Sequence, residues 1–354
     1  MPDTVRHIIE KRPLIISGPC GAETRDQLIQ TARALKDLGK IDMLRAGIWK
    51  PRTKPGNFEG IGEPGLLWLQ EASLETGLPF MVEVASTRHV ELILKYQIPA
   101  VWIGARTTVN PFYVQELSEA LIGTGINVFV KNPINPDADL WSGAVERFLR
   151  ADLPTGIIHR GFSLYGNGLY RNPPMWNLPI EMKRRFPDLP LICDPSHICG
   201  NRTELLGIAQ TAMDLGMDGL MIESHIHPDQ AWSDARQQIT PQELNTLLEK
   251  MIWRSPGVEN SMQFEPLQRL RDEMDELDTQ LLQIMSKRMK LADAIGEYKK
   301  LNNITIVQVD RFNEILNRGL KMAREFGLSE NFMRNYFEVL HMESIEHQNK
   351  VMNE

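Results

Sequence analysis

The sequence predicts a (β/α)8 TIM barrel followed by an all-α domain. Three observations carry this prediction. Short apolar, β-branched runs recur eight times before residue 253, and the stretches between them have helical periodicity and end at glycine. After about residue 253 the composition changes, and beyond Pro266 there is no proline.

Strands are expected at 14–19 (LIISGP), 41–46 (IDMLRA), 79–84 (PFMVEV), 100–105 (AVWIGA), 126–131 (INVFVK), 156–161 (GIIHRG), 190–194 (PLICD) and 219–224 (GLMIES). The intervening DQLIQTARALKDLG and EPGLLWLQEASLETG typify the helices. Eight strand–helix units in about 250 residues is the size of a closed barrel. An open doubly wound sheet would more often show a Gly-rich phosphate fingerprint after its first strand, and SGPCGAE is not one. The barrel is assigned to 1–253, a linker (RSPGVENSMQF) to 254–264 and the all-α domain to 265–354. From Leu267 the series Leu267, Leu270, Met274, Leu277, Leu281, Ile284, Arg288, Leu291, Ile295 and Tyr298 keeps a 3–4 spacing. It predicts one long helix, with two more over 309–326 and 329–352.

The formal net charge of −7 gives no overall basic field to recruit nucleic acid or anionic membrane. Three cysteines are too few for a disulfide framework. MPDTVRHIIEKRP lacks the apolar core of a signal peptide, and no apolar run reaches the length of a membrane span. A soluble, cytoplasmic protein is expected.

Chemistry in such barrels lies at the C-terminal strand ends. Those positions read Cys20, Arg45, Glu83, Arg106, Lys131, Arg160, His197 and Glu223. Any one of them suits an ordinary solvated loop; a polar or ligating side chain at all eight does not. Four cations around one mouth repel unless they bind anions, which points to phosphate and carboxylate groups on the substrates. Cys20, His197, Glu223 and Asp234 (in WSDARQQ) form a candidate set for a divalent ion, and the mixed donors suit a borderline transition ion better than Mg2+. The bland alternatives are a small buried Cys20 and a capping or core His197. Cys193, His197 and Cys199 compete as a zinc set, but strand alternation turns Cys193 away from Asp194, and a fourth near ligand is wanting. His225 and His227 share the face of Glu223 and read as supporting or loop residues.

In the helical part Arg288 occupies a seam position that its neighbours fill with leucine, isoleucine and methionine. An unpaired arginine there is costly, so an anion is expected to meet it, although a snorkelling side chain is the plainer alternative. Lys299 lies eleven residues on, about three turns, on the same face and roughly 16 Å away. Arg271, seventeen residues back, is about a quarter-turn off that face, and an antiparallel partner chain would bring it in. Ser344 and Gln348 are i,i+4 neighbours.

SGPCGAE, RAGIWKPRT, EVAS, IGAR, VKNP, HRG, DPSH, IESH and WSDARQQ, in this order, resemble 3-deoxy-D-arabino-heptulosonate 7-phosphate (DAHP) synthases of the type Iβ group, which also contains octulosonate 8-phosphate synthases. The resemblance implies condensation of phosphoenolpyruvate with erythrose 4-phosphate at a divalent metal, with Mn2+ expected and other transition ions open. It gives the metal to Cys20, His197, Glu223 and Asp234. Arg106 and Arg160 would clamp the phosphoenolpyruvate phosphate, and Arg45, Lys50 and Lys131 its carboxylate. Arg52 and Thr53 would hold the aldose phosphate, and Glu83 would position water. KPRT at 50–53 favours erythrose 4-phosphate over arabinose 5-phosphate, the alternative aldose. Lys54 and Thr107 stand where serine and asparagine are usual.

The spacings of Arg271, Arg288, Lys299, Arg311, Ser344 and Gln348 resemble the AroQ class of chorismate mutases, which are all-helical intertwined dimers. That resemblance implies rearrangement of chorismate to prephenate in a homodimer or higher oligomer. Arg271 of a partner chain and Arg288 would bind the carboxylates, Lys299 and Gln348 the ether oxygen, and Arg311 and Ser344 would complete the cage. Phe312 stands where a glutamate contacting the substrate hydroxyl is frequent, and Gln308 where an aspartate is. The expectation is thus a bifunctional enzyme whose barrel is inhibited by prephenate or chorismate through the helical domain. The alternative makes that domain a non-catalytic sensor and dimerisation module.

Overall fold

The computed structural model describes residues 11–50, 56, 58–166, 168–254 and 261–354. The chain separates into two compact units, Met1–Pro256 and Gly257–Glu354.

In the first unit, β1 (Leu14–Gly18), β2 (Met43–Arg45), β3 (Phe80–Val84), β4 (Ala100–Ile103), β5 (Asn127–Lys131), β6 (Thr155–His159), β7 (Leu191–Cys193) and β8 (Gly219–Glu223) pair in parallel in sequence order. The barrel closes by β1 against β8, with Leu14 opposite Gly219 and Gly18 opposite Glu223. Every strand predicted from sequence is present within a residue or two at each end. The strands are the shorter version because ladder bonding stops where the chain bends into the loops at the mouth.

The connecting helices are α1 (Arg25–Asp37), α2 (Glu63–Thr76), α3 (Thr87–Lys95), α4 (Ala105–Thr108), α5 (Pro111–Leu121), α6 (Ala138–Arg150), α7 (Asn177–Arg185), α8 (Pro195–Cys199), α9 (Leu205–Asp214) and α10 (Pro241–Lys250). Their starts follow from capping chemistry: Thr24, Ser86, Asn110, Asp137, Asp194 and Thr240 each accept a backbone N–H from the first turn. Alternation along the strands makes two cores. Ile15, Leu44, Val82, Val101, Val128 and Ile157 face out against the helices. Leu14, Ile16, Met43, Met81, Trp102, Phe129, Ile158, Ile192 and Met221 fill the interior.

The second unit is all helical: α11 (Ser261–Leu301), α12 (Val309–Glu325) and α13 (Glu330–Asn353). The last four residues of the segment read as linker, 261–264, belong to α11. The C-terminal half of α11 packs along α13, where Gly296 permits close approach: a Cβ there would lie 3.0 Å from the Gln348 Cα. Its N-terminal half presents apolar side chains to the surface. Leu270, Met274, Leu277, Leu281 and Ile284 are each about half or more exposed, so the stripe read as a buried seam is uncovered within one protomer. Among the described residues no helix is long and apolar enough to cross a membrane.

Candidate active sites

The barrel interior determines its own mouth. Two residues beyond each inward-facing core side chain, on the same face, stand Gly18, Arg45, Glu83, Gly104, Lys131, Arg160, Asp194 and Glu223. Gly104 leaves room for its neighbour: a Cβ there would sit 2.1 Å from Glu83 Oε1, so the carboxylate would have to move. The cavity at this end has a volume of about 170 Å³. It is lined by the cations Lys50, Arg106, Lys131, Arg160 and Arg171, with Glu83, Asn172, His197 and Asp234 among the others. Five cations against two carboxylates make a site for an anion.

The cations are held rather than loose. Lys131 donates to Asp194 Oδ2 at 2.8 Å. Arg160, with 8% of its surface exposed, donates to Asn172 Oδ1 at 3.0 Å, and burial pulls its guanidinium down to about 10, still protonated near neutrality. Trp102 Nε1 donates to Glu83 Oε2 at 3.1 Å.

Asp194 organises the opposite wall. As the N-cap of α8 it accepts the His197 backbone N–H at 3.1 Å, and its Oδ2 lies 2.8 Å from His197 Nδ1. Burial raises its carboxyl pKa, but His197 and Lys131 outweigh burial and hold it well below the usual range. With Nδ1 engaged by Asp194, Nε2 faces Glu223 Oε1 at 3.8 Å.

Glu223 is fully buried, accepting from Arg45 Nη1 at 2.6 Å and from Gln237 Nε2 at 2.7 Å. Cys20 Sγ lies 3.2 Å from Asp234 Oδ2 and 2.6 Å from Lys50 Nζ. Burial, reinforced by Glu223, pushes the Cys20 thiol up to about 12 despite Lys50, so it is a neutral thiol in this arrangement. Arg171 Nη1 binds Asp234 Oδ1 and Gln237 Oε1, both at 2.9 Å.

Among the described residues no three His, Cys, Asp or Glu side chains close into a metal-holding group. The four predicted ligands stand instead as two pairs, Cys20–Asp234 at 3.2 Å and His197–Glu223 at 3.8 Å. Donors bonded to one ion at about 2.0–2.3 Å are roughly 2.8–3.8 Å apart, from right-angle to tetrahedral geometry, so both separations suit neighbouring ligands. The donor chemistry fits a borderline transition ion, while Lys50, Arg45 and Arg171 supply the local positive charge.

Arg45 differs from its sequence assignment. It points inward one layer below the cavity, over the Trp102 ring at 4.9 Å, and pairs with Glu223 rather than lining the substrate space. Arg52, Thr53 and Lys54 lie outside the described residues. Cys193 and Cys199 are buried in the outer core. His225 Nε2 lies 3.5 Å from Glu23 Oε2, and its Nδ1 accepts the His227 N–H at 2.8 Å. Asp194, Arg171, Asn172 and Gln237 were not singled out in the sequence, although strand alternation from Ile192 marks Asp194.

In the helical unit the predicted site residues form two of the contacts that tie α11 to α13. Arg288 Nη1 donates to the Ser344 hydroxyl and, at 3.3 Å, to the Leu340 carbonyl. Lys299 Nζ donates to Gln348 Oε1 at 3.0 Å and to the Ile306 carbonyl at 2.6 Å. Burial lowers the Lys299 ammonium below its ordinary value. An open cleft beside Lys299 is lined by Leu291, Ile295, Tyr298, Ile304 and Gln308. Arg311 is not brought to this cluster, since it is exposed and pairs with Glu314 Oε2 at 2.6 Å. Arg271 is exposed on the uncovered half of α11, about 26 Å from Arg288 along the axis.

Residues 4–256 match the family model described as the DAHP synthetase I family, and residues 270–349 match chorismate mutase type II. The chain is 29% identical over 237 residues to phospho-2-dehydro-3-deoxyheptonate aldolase of Thermotoga maritima, covering 67% of this chain and 68% of that protein. It is 28% identical over 262 residues to 2-dehydro-3-deoxyphosphooctonate aldolase of Methylobacterium radiotolerans, covering 67% and 87%. The crystal structure of the Thermotoga maritima DAHP synthase superposes with a TM-score of 0.61 and 28% identity over 67% of each chain. A truncated form from the same organism gives 0.58 and 25%, over 67% of this chain and 84% of the other.

Proposed function

The chain belongs to the DAHP synthetase I family and carries a chorismate mutase type II domain after its barrel, and from that premise we propose how its residues divide two reactions. The barrel condenses phosphoenolpyruvate with erythrose 4-phosphate, giving DAHP and phosphate. The observation that carries this reading is the cavity at the strand ends, where Lys50, Arg106, Lys131, Arg160 and Arg171 surround a space of substrate size.

Arg106 and Arg160 take the phosphoenolpyruvate phosphate, and Lys50 and Lys131 its carboxylate. Arg45 supports Glu223 instead. Arg52 and Thr53 are assigned the aldose phosphate from the family resemblance. Glu83, anchored by Trp102 Nε1, orients the water that adds at C2. Cys20, His197, Glu223 and Asp234 would hold a divalent ion, Mn2+ foremost, which supplies Lewis-acid polarisation of the aldehyde oxygen when bound. Asp194 orients the His197 ring through Nδ1 and so turns Nε2 toward Glu223.

In the helical unit Arg288 binds one chorismate carboxylate, and Arg271 of a second copy the other. Lys299 and Gln348, already in contact, stabilise charge developing on the ether oxygen. The rearrangement needs neither acid nor base, so holding the compact conformer suffices. The exposed stripe on α11 supports a homodimer, since a second copy would cover it. Prephenate or chorismate bound to this unit inhibits the barrel, a coupling that a chain truncated after residue 253 would lack.

The test is turnover of the full chain with each aldose phosphate and with chorismate. Mn2+-dependent DAHP formation, abolished by chelator, and separate prephenate formation are expected. Preference for arabinose 5-phosphate, or full DAHP formation in chelator, would overturn the barrel assignment.

A further inference from the structure

His341 lies three and seven residues before Ser344 and Gln348 on α13, a spacing that puts all three on one face. Ser344 and Gln348 are the residues that contact Arg288 and Lys299, and the charges bearing on His341 are those same two cations. Its ring stacks on Phe312, with centroids 4.3 Å apart and planes 27° from parallel. The stack holds the imidazole in place, and among the described residues its nitrogens make no hydrogen bond.

The other polar groups on this face differ from His341 in what they can offer a ligand. Arg288 and Lys299 can only donate. The Ser344 hydroxyl accepts from Arg288 and donates to the Leu340 carbonyl at 2.7 Å. Gln348 accepts from Lys299 through Oε1, and its Nε2 donates to the Ser344 carbonyl at 3.2 Å. Such a surface serves carboxylates and an ether oxygen, all of which accept. A ring hydroxyl on the same substrate has a proton to give; the acceptors Ser344 Oγ and Gln348 Oε1 are already drawn to Arg288 and Lys299, whereas the His341 nitrogens are not engaged by any described residue. Phe312, at the position where the family resemblance leads one to expect a glutamate, cannot accept either.

We propose that His341 is a specificity-determining residue of the mutase site, its imidazole accepting a hydrogen bond from the substrate's ring hydroxyl. The assignment rests on the mutase reading of this unit. Burial, with Arg288 and Lys299 nearby, lowers the imidazole pKa and keeps it neutral, so a ring nitrogen carries a lone pair. A neutral acceptor also avoids a further negative charge beside a dianionic substrate, which a carboxylate at 312 would impose. The remaining candidate is Gln308, exposed at the rim of the cleft beside Lys299.

The experiment compares kcat/KM of the full chain for chorismate and for an analogue in which hydrogen replaces the ring hydroxyl. His341→Phe keeps the stack on Phe312 and removes the nitrogens. It should lower kcat/KM for chorismate roughly fivefold to tenfold, the worth of one hydrogen bond, and leave the analogue unchanged. His341→Gln, which keeps an acceptor, should retain the preference, and Phe312→Glu added to His341→Phe should restore it. Far-UV circular dichroism reports whether each variant keeps its helices. Equal loss on both substrates, loss on neither, or a preference that disappears in Gln308→Leu but survives in His341→Phe would overturn the assignment. A wild-type chain that forms no prephenate would overturn the mutase reading itself and the assignment with it, an outcome distinct from all of these.

Discussion

Lys131 and Asp194 form an ion pair beneath the barrel mouth, Nζ to Oδ2 2.8 Å, with 5% and 0% of their side chains exposed. The same carboxylate holds the His197 ring, so one buried group aligns a cation of the cavity wall and a metal-ligand candidate.

Asp194→Asn keeps the shape and removes the charge. Leaving Lys131 buried without its anion should cost about 3–5 kcal/mol of barrel stability. All seven tryptophans precede residue 254, so tryptophan fluorescence in a urea titration reads the barrel alone. Mn2+ affinity should fall roughly 10–100-fold, because His197 loses the acceptor that sets its tautomer. The sign with pH follows from a folded pKa held below the unfolded one. The Asp194 contribution is fully present above about pH 4, the unfolded value, and is lost as pH falls through the lower folded value. The gap in stability between wild type and Asp194→Asn should therefore stay constant from pH 5 to 7 and narrow only in stronger acid. A gap that widens toward low pH would contradict this.

Cys20 tests the metal assignment differently. Burial and Glu223 push its thiol up to about 12, so ligation as thiolate must release a proton near neutrality. Apparent Mn2+ affinity should rise with pH, by about tenfold per unit if this is the one proton released. Calorimetry in two buffers of different ionisation enthalpy measures the release directly. Cys20→Ala should abolish metal-dependent turnover; a variant that keeps most of its activity in chelator-treated buffer would remove Cys20 from the ligand set.

Gly296→Ala should separate the two activities. Alanine favours a helix over glycine by about 1 kcal/mol, which taken alone would stabilise α11. The new Cβ, however, would stand 3.0 Å from the Gln348 Cα and 3.2 Å from its carbonyl oxygen, and a backbone cannot rotate away as a side chain can. α11 and α13 must part, and the Lys299–Gln348 contact at 3.0 Å lies one turn from the strain. We expect prephenate formation to fall at least about tenfold, in keeping with the cost of a small misplacement in a positioning site. DAHP formation should be unchanged.

Much of the barrel site was legible because alternation is a strict rule. Once Met43, Met81, Phe129, Ile158 and Met221 are taken as inward-facing, Arg45, Glu83, Lys131, Arg160 and Glu223 follow two residues later. The same rule leads from Ile192 to Asp194, whose importance lies in its contacts with Lys131, 63 residues away, and His197. Sequence could not separate Arg45 from the other cations, because its distance below the cavity depends on how the layers stack. Arg171 and Gln237 meet across 66 residues through the loops after β6 and β8, and no local pattern couples them. In the helical unit the i, i+3, i+7 series of His341, Ser344 and Gln348 was readable. Its significance emerges only with Phe312 stacked beside it.

Arg271 and Arg288 cannot serve one site within a straight α11, being about 26 Å apart along its axis. The uncovered stripe from Leu270 to Ile284 surrounds Arg271, so a second copy that buries the stripe would carry this arginine into its partner's site. Arg271→Ala and Arg288→Ala chains should each form prephenate at under about a hundredth of the wild-type rate, as expected when a charged clamp is lost. Co-expressed in equal amounts, they should regain activity. Half of the dimers would be mixed, and each mixed dimer would hold one intact site of two, giving about a quarter of the wild-type rate. Leu277→Asp should leave a monomer in sedimentation analysis, abolish this rescue and spare the Arg288–Ser344 contact within each chain. Absence of rescue in a demonstrated mixed dimer would place both arginines in the site of a single chain and refute the exchange.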